Sequence, residues 1–203
     1  MNELLLFAKA PRVGQVKTRL AEYLGAERAL QAYCRLLEVV ARKVGELEPA
    51  TVYFTPVDSE GELRPFFPRH WGFRAQEGAD LGERLRNALA ASFAAGSERV
   101  VVIGADCPYI RPADIEEAWQ YLDVHDLIVG PAEDGGYWLI GMKKCYPELF
   151  SGIQWGTETV FDATLARARE LHLQVGVFRT LSDVDTMLQW QAFLGSSESR
   201  LER

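Results

Sequence analysis

Read for hydrophobic and polar positions, the chain switches repeatedly between two periods. Leu4, Leu5, Leu6, Phe7 and Ala8 form an unbroken apolar run, short enough for a strand and apolar enough to be covered on both faces. The run stops at Lys9, and Pro11 and Gly14 punctuate the loop beyond it. Ala26, Ala29, Leu30, Tyr33, Leu37, Val40, Ala41, Val44 and Leu47 then recur at helical spacing, predicting an amphipathic helix that ends between Gly45 and Pro49. The β-branched and aromatic stretch 51–55 predicts a second strand and 73–76 a third, with turn-rich sequence and short helical pieces between them. A helix over 81–93, with Leu85, Leu89 and Phe93 on one stripe, leads to a strand at 100–103.

The second part of the chain continues in the same way. A helix is predicted over 112–122, with Pro112 in its first turn, then strands at 127–129 and 137–142, a helix over 157–172, a strand at 173–178 and a helix over 186–194. Thr186 and Gln189 are spaced as a capping box, and the polar tail 195–203 is expected to fray. About seven residues separate the strands at 129 and 137, too few for a crossover helix, so that pair is expected to be antiparallel or to leave the sheet. Alternating strands and helices predict an α/β fold with a mostly parallel twisted sheet, whose ligands bind at the carboxyl ends of the strands. No internal repeat, low-complexity tract or long linker divides the chain.

Composition narrows the function classes. With 203 residues, 48% hydrophobic and 25% charged, one globular domain is the simplest organisation. Its 22 basic and 29 acidic residues give a net charge of −7, which disfavours a general nucleic-acid binder. No apolar run reaches the length of a membrane span, and the N-terminal run, flanked by Asn2 and Glu3, does not read as a signal peptide; a cytoplasmic location is expected. Cys34, Cys107 and Cys145 are too few and too scattered for a disulfide framework or a zinc site, as are His70, His125 and His172. Nothing sets an oligomeric state, although Trp71, Trp119, Trp155 and Trp190 are candidates for surface aromatic area.

Against this acidic background, Lys9, Arg12, Lys17 and Arg19 form a local reversal of sign just past the first strand, which suits a polyphosphate. The loop has neither the GxxxxGK[ST] spacing nor GxGxxG, so it is a different phosphate cradle. Asp106 lies just past the strand at 100–103, after Gly104, where a carboxylate can hold Mg²⁺. Asp134, Gly135, Gly136 and Tyr137 come after another strand: the glycines free backbone amides to meet an anion, and the same residues equally suit a hairpin turn. Asp183 and Asp185 exceed what a cap for the last helix requires and are candidates for a second metal carboxylate, Asp185 ahead of Asp183. The polar loop from Gln76 through Leu81 and Gly82 to Arg84, entering a helix after the third strand, can meet a nucleotide base or ribose, or simply carry Asp80 as a helix cap.

Five ordered blocks, FAKAPRVGQVKTRL, QEGADLGERL, VVIGADCPYI, GPAEDGGYWLIGM and LSDVDT, resemble the bacterial radical-SAM/selenodomain-associated glycosyltransferase family, over most of the chain from Phe7 to Asp185. That family groups with GT-A-type nucleotide-diphospho-sugar transferases and is related to guanylyl and molybdenum-cofactor nucleotidyltransferases. The resemblance implies a single Rossmann-like GT-A domain, with helices on both faces of the sheet, one antiparallel strand, a nucleotide-binding half over about 1–110 and an acceptor half over about 111–195. It implies phosphates among Lys9, Pro11, Gly14, Lys17 and Arg19, a base near Gln76, Leu81 and Gly82, Mg²⁺ (or Mn²⁺) on Asp106 with Asp183 or Asp185, and an acceptor facing Asp134, Gly135, Gly136 and Tyr137. Lys17, Asp106 and Asp134 are the expected catalytic side chains. The partners are then a nucleotide-activated small-molecule donor and a small acceptor. A single Asp followed by Cys107 and Pro108, in place of a DxD pair, and four cations for the phosphates lean toward nucleotidyl transfer. The expectation of another class is a nucleotide-sensing protein without turnover.

Overall fold

The computed structural model describes residues 1–200. Strand β1 (Asn2–Lys9) is followed by helices α1 (Thr18–Leu24) and α2 (Ala26–Val44) and strand β2 (Ala50–Thr55). Helix α3 (Glu60–Leu63), strand β3 (Gly72–Ala75), helix α4 (Leu81–Ala94) and strand β4 (Arg99–Gly104) come next. Helix α5 (Pro112–Tyr121), strands β5 (Leu127–Pro131) and β6 (Tyr137–Met142), helix α6 (Val160–Glu170), strand β7 (Val175–Val177) and helix α7 (Met187–Gly195) complete the order.

The seven strands form one sheet in the order β3-β2-β1-β4-β6-β5-β7. Every neighbouring pair is parallel except those of β6, which runs antiparallel to both β4 and β5. The short β5–β6 connection, too short for a crossover, imposes this reversal. Side chains along β1 alternate between the faces as the pleat requires: Leu4, Leu6 and Ala8 join one apolar layer and Leu5 the other. Helices α2 and α5 cover the first layer through residues such as Leu37, Val40 and Ile115, while α4 and α6 cover the second through Leu85, Leu89 and Ala168. Each large aliphatic side chain enclosed in this way contributes about 1.5–3 kcal/mol.

Chain order reverses across β1, whose neighbours are β2 on one side and β4 on the other. The loops leaving β1 and β4 therefore diverge and open a crevice at their carboxyl ends, where an open α/β sheet binds its ligands. Tyr33 of α2 fixes the rim, since its hydroxyl accepts from the Lys9 amide at 3.0 Å and donates to the Lys9 carbonyl at 2.9 Å.

Several sequence expectations are corrected. The chain after β1 turns into the separate helix α1 at Thr18, and Gly25, at φ 80°, divides it from α2. The helix expected over 157–172 is shorter, Val160–Glu170, and the strand after it is Val175–Val177. The tail is ordered through Arg200: Ser197–Ser199 forms a 3₁₀ turn, Glu198 pairs with Lys43, and Arg35 donates to the Ser199 carbonyl at 2.6 Å. The fraying expected for 201–203 lies outside the described residues. Trp71 and Trp119 are buried in the core and supply no surface area.

Candidate active site

Lys17 occupies the centre of the crevice. It is the residue before α1 and stands in the left-handed region at φ 48°, ψ 46°. That backbone costs a non-glycine residue on the order of 1–3 kcal/mol and persists only where the surroundings fix it. Here they do: the side chain is only 4% exposed, and its Nζ donates to Asp106 Oδ2 at 3.1 Å and to Asp185 Oδ1 at 2.5 Å. Burial alone would loosen the Lys17 proton, but the charges of Asp106 and Asp185 outweigh it and raise the ammonium above the ordinary lysine value.

Asp106 reaches this place because β4 ends at Gly104, two residues earlier. Asp183 and Asp185 arrive from far along the chain. After β7 the backbone crosses the β5–β6 loop, with Leu181 N–H donating to the Pro131 carbonyl at 3.1 Å and Glu133 N–H to the Leu181 carbonyl at 3.0 Å. Val184 N–H then donates to the Asp106 carbonyl at 3.1 Å, which fixes both aspartates beside the end of β4. Behind the crossing segment, Arg179 is held by Asp114 (Nη2 to Oδ2, 2.7 Å), and the Trp138 indole N–H donates to the Arg179 carbonyl at 3.0 Å. Asp114 also caps α5 by accepting from the Arg111 amide at 2.8 Å. The Thr186–Gln189 capping box is present, with Gln189 Oε1 accepting from the Thr186 amide at 2.9 Å.

Asp183 is the unusual carboxylate. Its Oδ1 is buried without a hydrogen-bond partner. Burial, and then the charges of Asp106 and Asp134, push its carboxyl well above the usual range, with Lys17 opposing. Three oxygen-donor groups, one carrying an orphaned buried oxygen, suit a hard divalent cation such as Mg²⁺ or Mn²⁺. They do not form a ready cage: among the described residues no three His, Cys, Asp or Glu side chains stand in metal-holding geometry, and the Lys17 ammonium holds Asp106 and Asp185 instead. Cys107 is buried, and that burial pushes its thiol up, so it is neither nucleophile nor soft ligand.

Two cavities open on either side of the triad of Lys17, Asp106 and Asp185 and share Leu81 and Asp185. The smaller, about 360 Å³, lies over β1 and β2 and is lined by Lys9, Lys17, Gln76, Arg84 and Asp106. The larger, about 1040 Å³, is lined by Arg19, the β5–β6 loop, the Trp155–Thr159 segment, the start of α6, Asp183 and Asp185. In the β5–β6 loop, Asp134 Oδ1 accepts from the Gly136 amide at 2.9 Å, so this stretch is a hairpin turn and a cavity wall at once. Gly135 sits at φ +86° with its Cα against Glu158; a Cβ there would lie 2.0 Å from the Glu158 carbonyl oxygen.

The structure thus brings Lys9, Lys17, Gln76, Leu81 and Asp106 to one cavity and Arg19, Leu81, Asp134, Gly135, Gly136, Tyr137, Asp183 and Asp185 to the other. It does not bring Pro11, Gly14 or Gly82 to either. Gly14 is exposed with open space around it, and Gly82 is buried beneath Trp155, where a Cβ would come 2.5 Å from the indole nitrogen. Arg12 turns away to pair with Asp58 and Glu62 at 3.0 and 2.6 Å. The Gln76 amide is committed to the backbone, donating to the Tyr53 carbonyl at 2.9 Å. Asp80 caps α4 by accepting from the Glu83 amide at 2.8 Å. Arg84, at the end of the loop expected to meet the nucleotide, lines the smaller cavity, whereas sequence reasoning missed Trp155, Glu158 and Asp162 as site residues; the Trp-Gly-Thr-Glu-Thr stretch before α6 was the available signal, since a large aromatic beside polar and glycine residues marks a helix-entry loop able to face a ligand.

Residues 37–157 match the family described as "Uncharacterized protein conserved in bacteria (DUF2064)". The 2-phospho-L-lactate guanylyltransferase of Methanocaldococcus jannaschii is 25% identical over 133 residues, 65% of this chain and 56% of that one. The chain therefore spans a little over half the length of the curated relatives it matches. A crystal structure from Desulfovibrio desulfuricans G20, assigned as a candidate nucleotide-diphospho-sugar transferase, is 32% identical with a TM-score of 0.89, over 98% of this chain and 92% of that chain. Rv0371C of Mycobacterium tuberculosis, solved in complex with manganese, is similar in fold alone, at 16% identity and a TM-score of 0.58 over 96% and 98% of the two chains. No helix among the described residues is long and apolar enough to cross a membrane. Sheet order, the single reversed strand and these likenesses agree: the chain belongs to the DUF2064 family and has the nucleotide-diphospho-sugar transferase fold.

Proposed function

We propose that the protein is a metal-dependent transferase that takes a nucleotide-activated donor and moves a nucleotidyl or glycosyl group to a small acceptor. The observation that carries this reading is the buried Lys17 ammonium held by Asp106 and Asp185 at the seam between two cavities. The buried cation stands in strained backbone at the carboxyl ends of the strands, locked to two carboxylates that line the cavities, so its position points to charge handling as well as to support of the fold. The guanylyltransferase relatives and the nucleotide-diphospho-sugar transferase neighbour support the same chemistry.

In this reading the donor nucleotide lies in the smaller cavity over β1 and β2, with its phosphates toward Lys9 and Lys17, and Arg84 at the rim. The nucleotide half and acceptor half of the chain then meet at the triad. Asp106 and Asp185, with Asp183 behind them, would hold a Mg²⁺ or Mn²⁺ ion. Such an ion neutralises charge that develops on the donor phosphates. Lys17 fixes the two carboxylates and offers its remaining N–H to a phosphate oxygen, which is positioning plus electrostatic stabilisation. The acceptor enters the larger cavity, and Asp134, exposed at its wall, is the group placed to take a proton from an acceptor hydroxyl. With Arg12 committed to Asp58 and Glu62 and Arg19 on the larger cavity, Lys9 and Lys17 of the first loop remain beside the donor phosphates, and diphosphate-sugar and triphosphate donors are both carried into the test.

The test is a thermal-shift panel of nucleoside triphosphates and nucleoside diphosphate sugars with Mn²⁺, Mg²⁺ or chelator, followed by assay for released pyrophosphate or nucleoside diphosphate. A donor present at about one hundred times its dissociation constant adds about 2.7 kcal/mol and raises Tm by roughly 5–11 °C. The metal-dependent part of that shift is expected to vanish in Asp106→Asn. Unchanged metal-dependent nucleotide affinity in that variant would sink the assignment.

A further inference from the structure

The loop that carries Asp106 leaves β4 at Gly104 and folds back under cover: of residues 105–110, Ala105, Cys107, Pro108 and Ile110 are buried and only Asp106 and Tyr109 are partly open. Carbonyls in such a loop need donors, because little water reaches them. Three are supplied from outside the loop. The Asp106 carbonyl accepts from Val184 N–H at 3.1 Å and the Tyr109 carbonyl from Arg179 Nη2 at 3.2 Å, both on the segment that follows β7. The Pro108 carbonyl accepts from Lys43 Nζ at 2.6 Å, and Lys43 lies 65 residues earlier, in the last turn of α2.

Lys43 is not placed like a lysine that merely favours a helix end. A cation in the last turn ordinarily meets the final carbonyls of its own helix. This side chain is carried across to another element and is only 20% exposed, its ammonium lying between the Pro108 carbonyl and the carboxylate of Glu198. Glu198 stands in the turn after α7, which is itself tied down: Ser199 Oγ donates to the Leu194 and Ser196 carbonyls at 3.0 and 2.9 Å, and Arg35 donates to the Ser199 carbonyl at 2.6 Å. The counter-charge and these ties fix the ammonium, and its hydrogen bond to a carbonyl is stronger than one between neutral groups. The fixed φ of proline makes Pro108 a stiff link to the turn that aims Asp106, two residues earlier.

We infer that Lys43 is a positioning residue for the transfer reaction: it lines neither cavity, and it holds the Pro108 carbonyl so that the Asp106 carboxylate stands where Lys17 and a divalent ion meet it. Naming the ion rests on the proposed function; the hold on the Asp106 loop does not. Without the ammonium, the Pro108 carbonyl and the Glu198 carboxylate both lose a partner and the loop turns toward water. That moves a carboxylate whose place has to be right within about 0.5 Å.

The full chain and its Lys43→Met, Lys43→Arg and Glu198→Gln variants are compared in two ways, well below every Tm, where a change in stability alone leaves the binding constant of the folded protein unchanged. Mn²⁺ alone is titrated, and the free ion is read by electron paramagnetic resonance. In chelator, the rate at which acetic anhydride modifies Lys17 is read by peptide mass spectrometry, since Asp106 covers that ammonium. Lys43→Met is expected to weaken Mn²⁺ binding about three- to tenfold, less than removing a group in contact with a metal ligand does, and to speed Lys17 modification by about the same factor. Lys43→Arg keeps a cationic donor and is expected to hold both within about twofold of the parent. Glu198→Gln keeps the Pro108 contact and is expected to leave both unchanged. Parent-like Mn²⁺ affinity or parent-like Lys17 protection in Lys43→Met overturns the inference, as does failure of Lys43→Arg to rescue. A loss in Glu198→Gln as large as in Lys43→Met also overturns it, because the turn after α7 and not the Pro108 contact would then set the loop. If Lys43→Met does not fold, Lys43→Gln, with a shorter neutral donor, is judged by the same outcomes. A parent that binds no Mn²⁺ counts against the metal-dependent reading, while Lys17 protection still decides the role of Lys43.

Discussion

Replacing Lys17 by Met keeps most of the unbranched side chain and removes the charge that holds the centre of the site. The two oxygens that the ammonium contacts lie 3.1 and 2.5 Å from one nitrogen, so they stand no more than about 6 Å apart. Two unit charges at that separation repel by about 3 kcal/mol at an effective dielectric constant near 20. Asp106 and Asp185 are 38% and 34% exposed, so rotation into solvent and screening reduce the expected loss to about 1–3 kcal/mol. For a chain of this size that is a fall in Tm of roughly 2–12 °C, measured by calorimetry with chelator present and checked by urea unfolding. Adding Mn²⁺ is expected to restore more stability to Lys17→Met than it adds to the parent, because a divalent cation meets the two carboxylates that the ammonium has left. A variant as stable as the parent in chelator would falsify the electrostatic account of Lys17. Equal stabilisation of both proteins by Mn²⁺ would remove the ion from these carboxylates.

Asp114→Ala should cost about 1–3 kcal/mol, because it strips a 3% exposed carboxylate from the Arg111 amide and from two guanidinium groups that water can then solvate, and frees the segment that carries Asp183 and Asp185; urea unfolding reads the stability, and a rise in donor dissociation constant reads the loosened segment. Burial pushes the Asp114 carboxyl up, but hydrogen bonds from Arg111 and Arg179 outweigh it and hold the group below the usual carboxylate range. A lowered folded-state value stabilises above the unfolded value near pH 4 and is lost as pH falls through the folded one, so the stability gap between parent and Asp114→Ala should be full at neutral pH and close in stronger acid; a gap unchanged down to pH 2 refutes it. Gly135→Ala adds a Cβ that must lie 2.0 Å from the Glu158 carbonyl oxygen in a φ +86° backbone, so the loop must move, at a cost of about 1–3 kcal/mol, and acceptor KM should rise with donor affinity nearly unchanged. Equal changes in both constants would show that the loop does not serve the acceptor alone.

Periodicity was enough for the fold class. Double-faced apolar runs such as Leu4–Leu6 can only be interior strands, the stripe on α2 can only be a helix over them, and the few residues between β5 and β6 force the one reversal in the sheet. Local capping was legible as well, at Asp80 and in the Thr186–Gln189 pair, because a cap is decided within four residues. The break between α1 and α2 was not, since nothing apolar marks it and the turn rests on the positive φ of Gly25. The ordered end was missed for another reason: Glu198 and Ser199 are fixed by Lys43 and Arg35, more than 150 residues away.

The sequence by itself determined the kind of side chain at the site, cations after β1 and carboxylates after β4, β5 and β7, because strand ends place loops on one edge whatever the strand order. Only the tertiary structure decided which of them meet. Of the four cations in the first loop, Lys17 goes inward to Asp106 and Asp185 while Arg12 turns out to Asp58 and Glu62. Asp183 and Asp185 join Asp106 because the segment after β7 is stitched across the β5–β6 loop by backbone hydrogen bonds. Charge depends on separation in space, and separations across 89 and 168 residues of chain are set by sheet order and crossing segments, which no local pattern records.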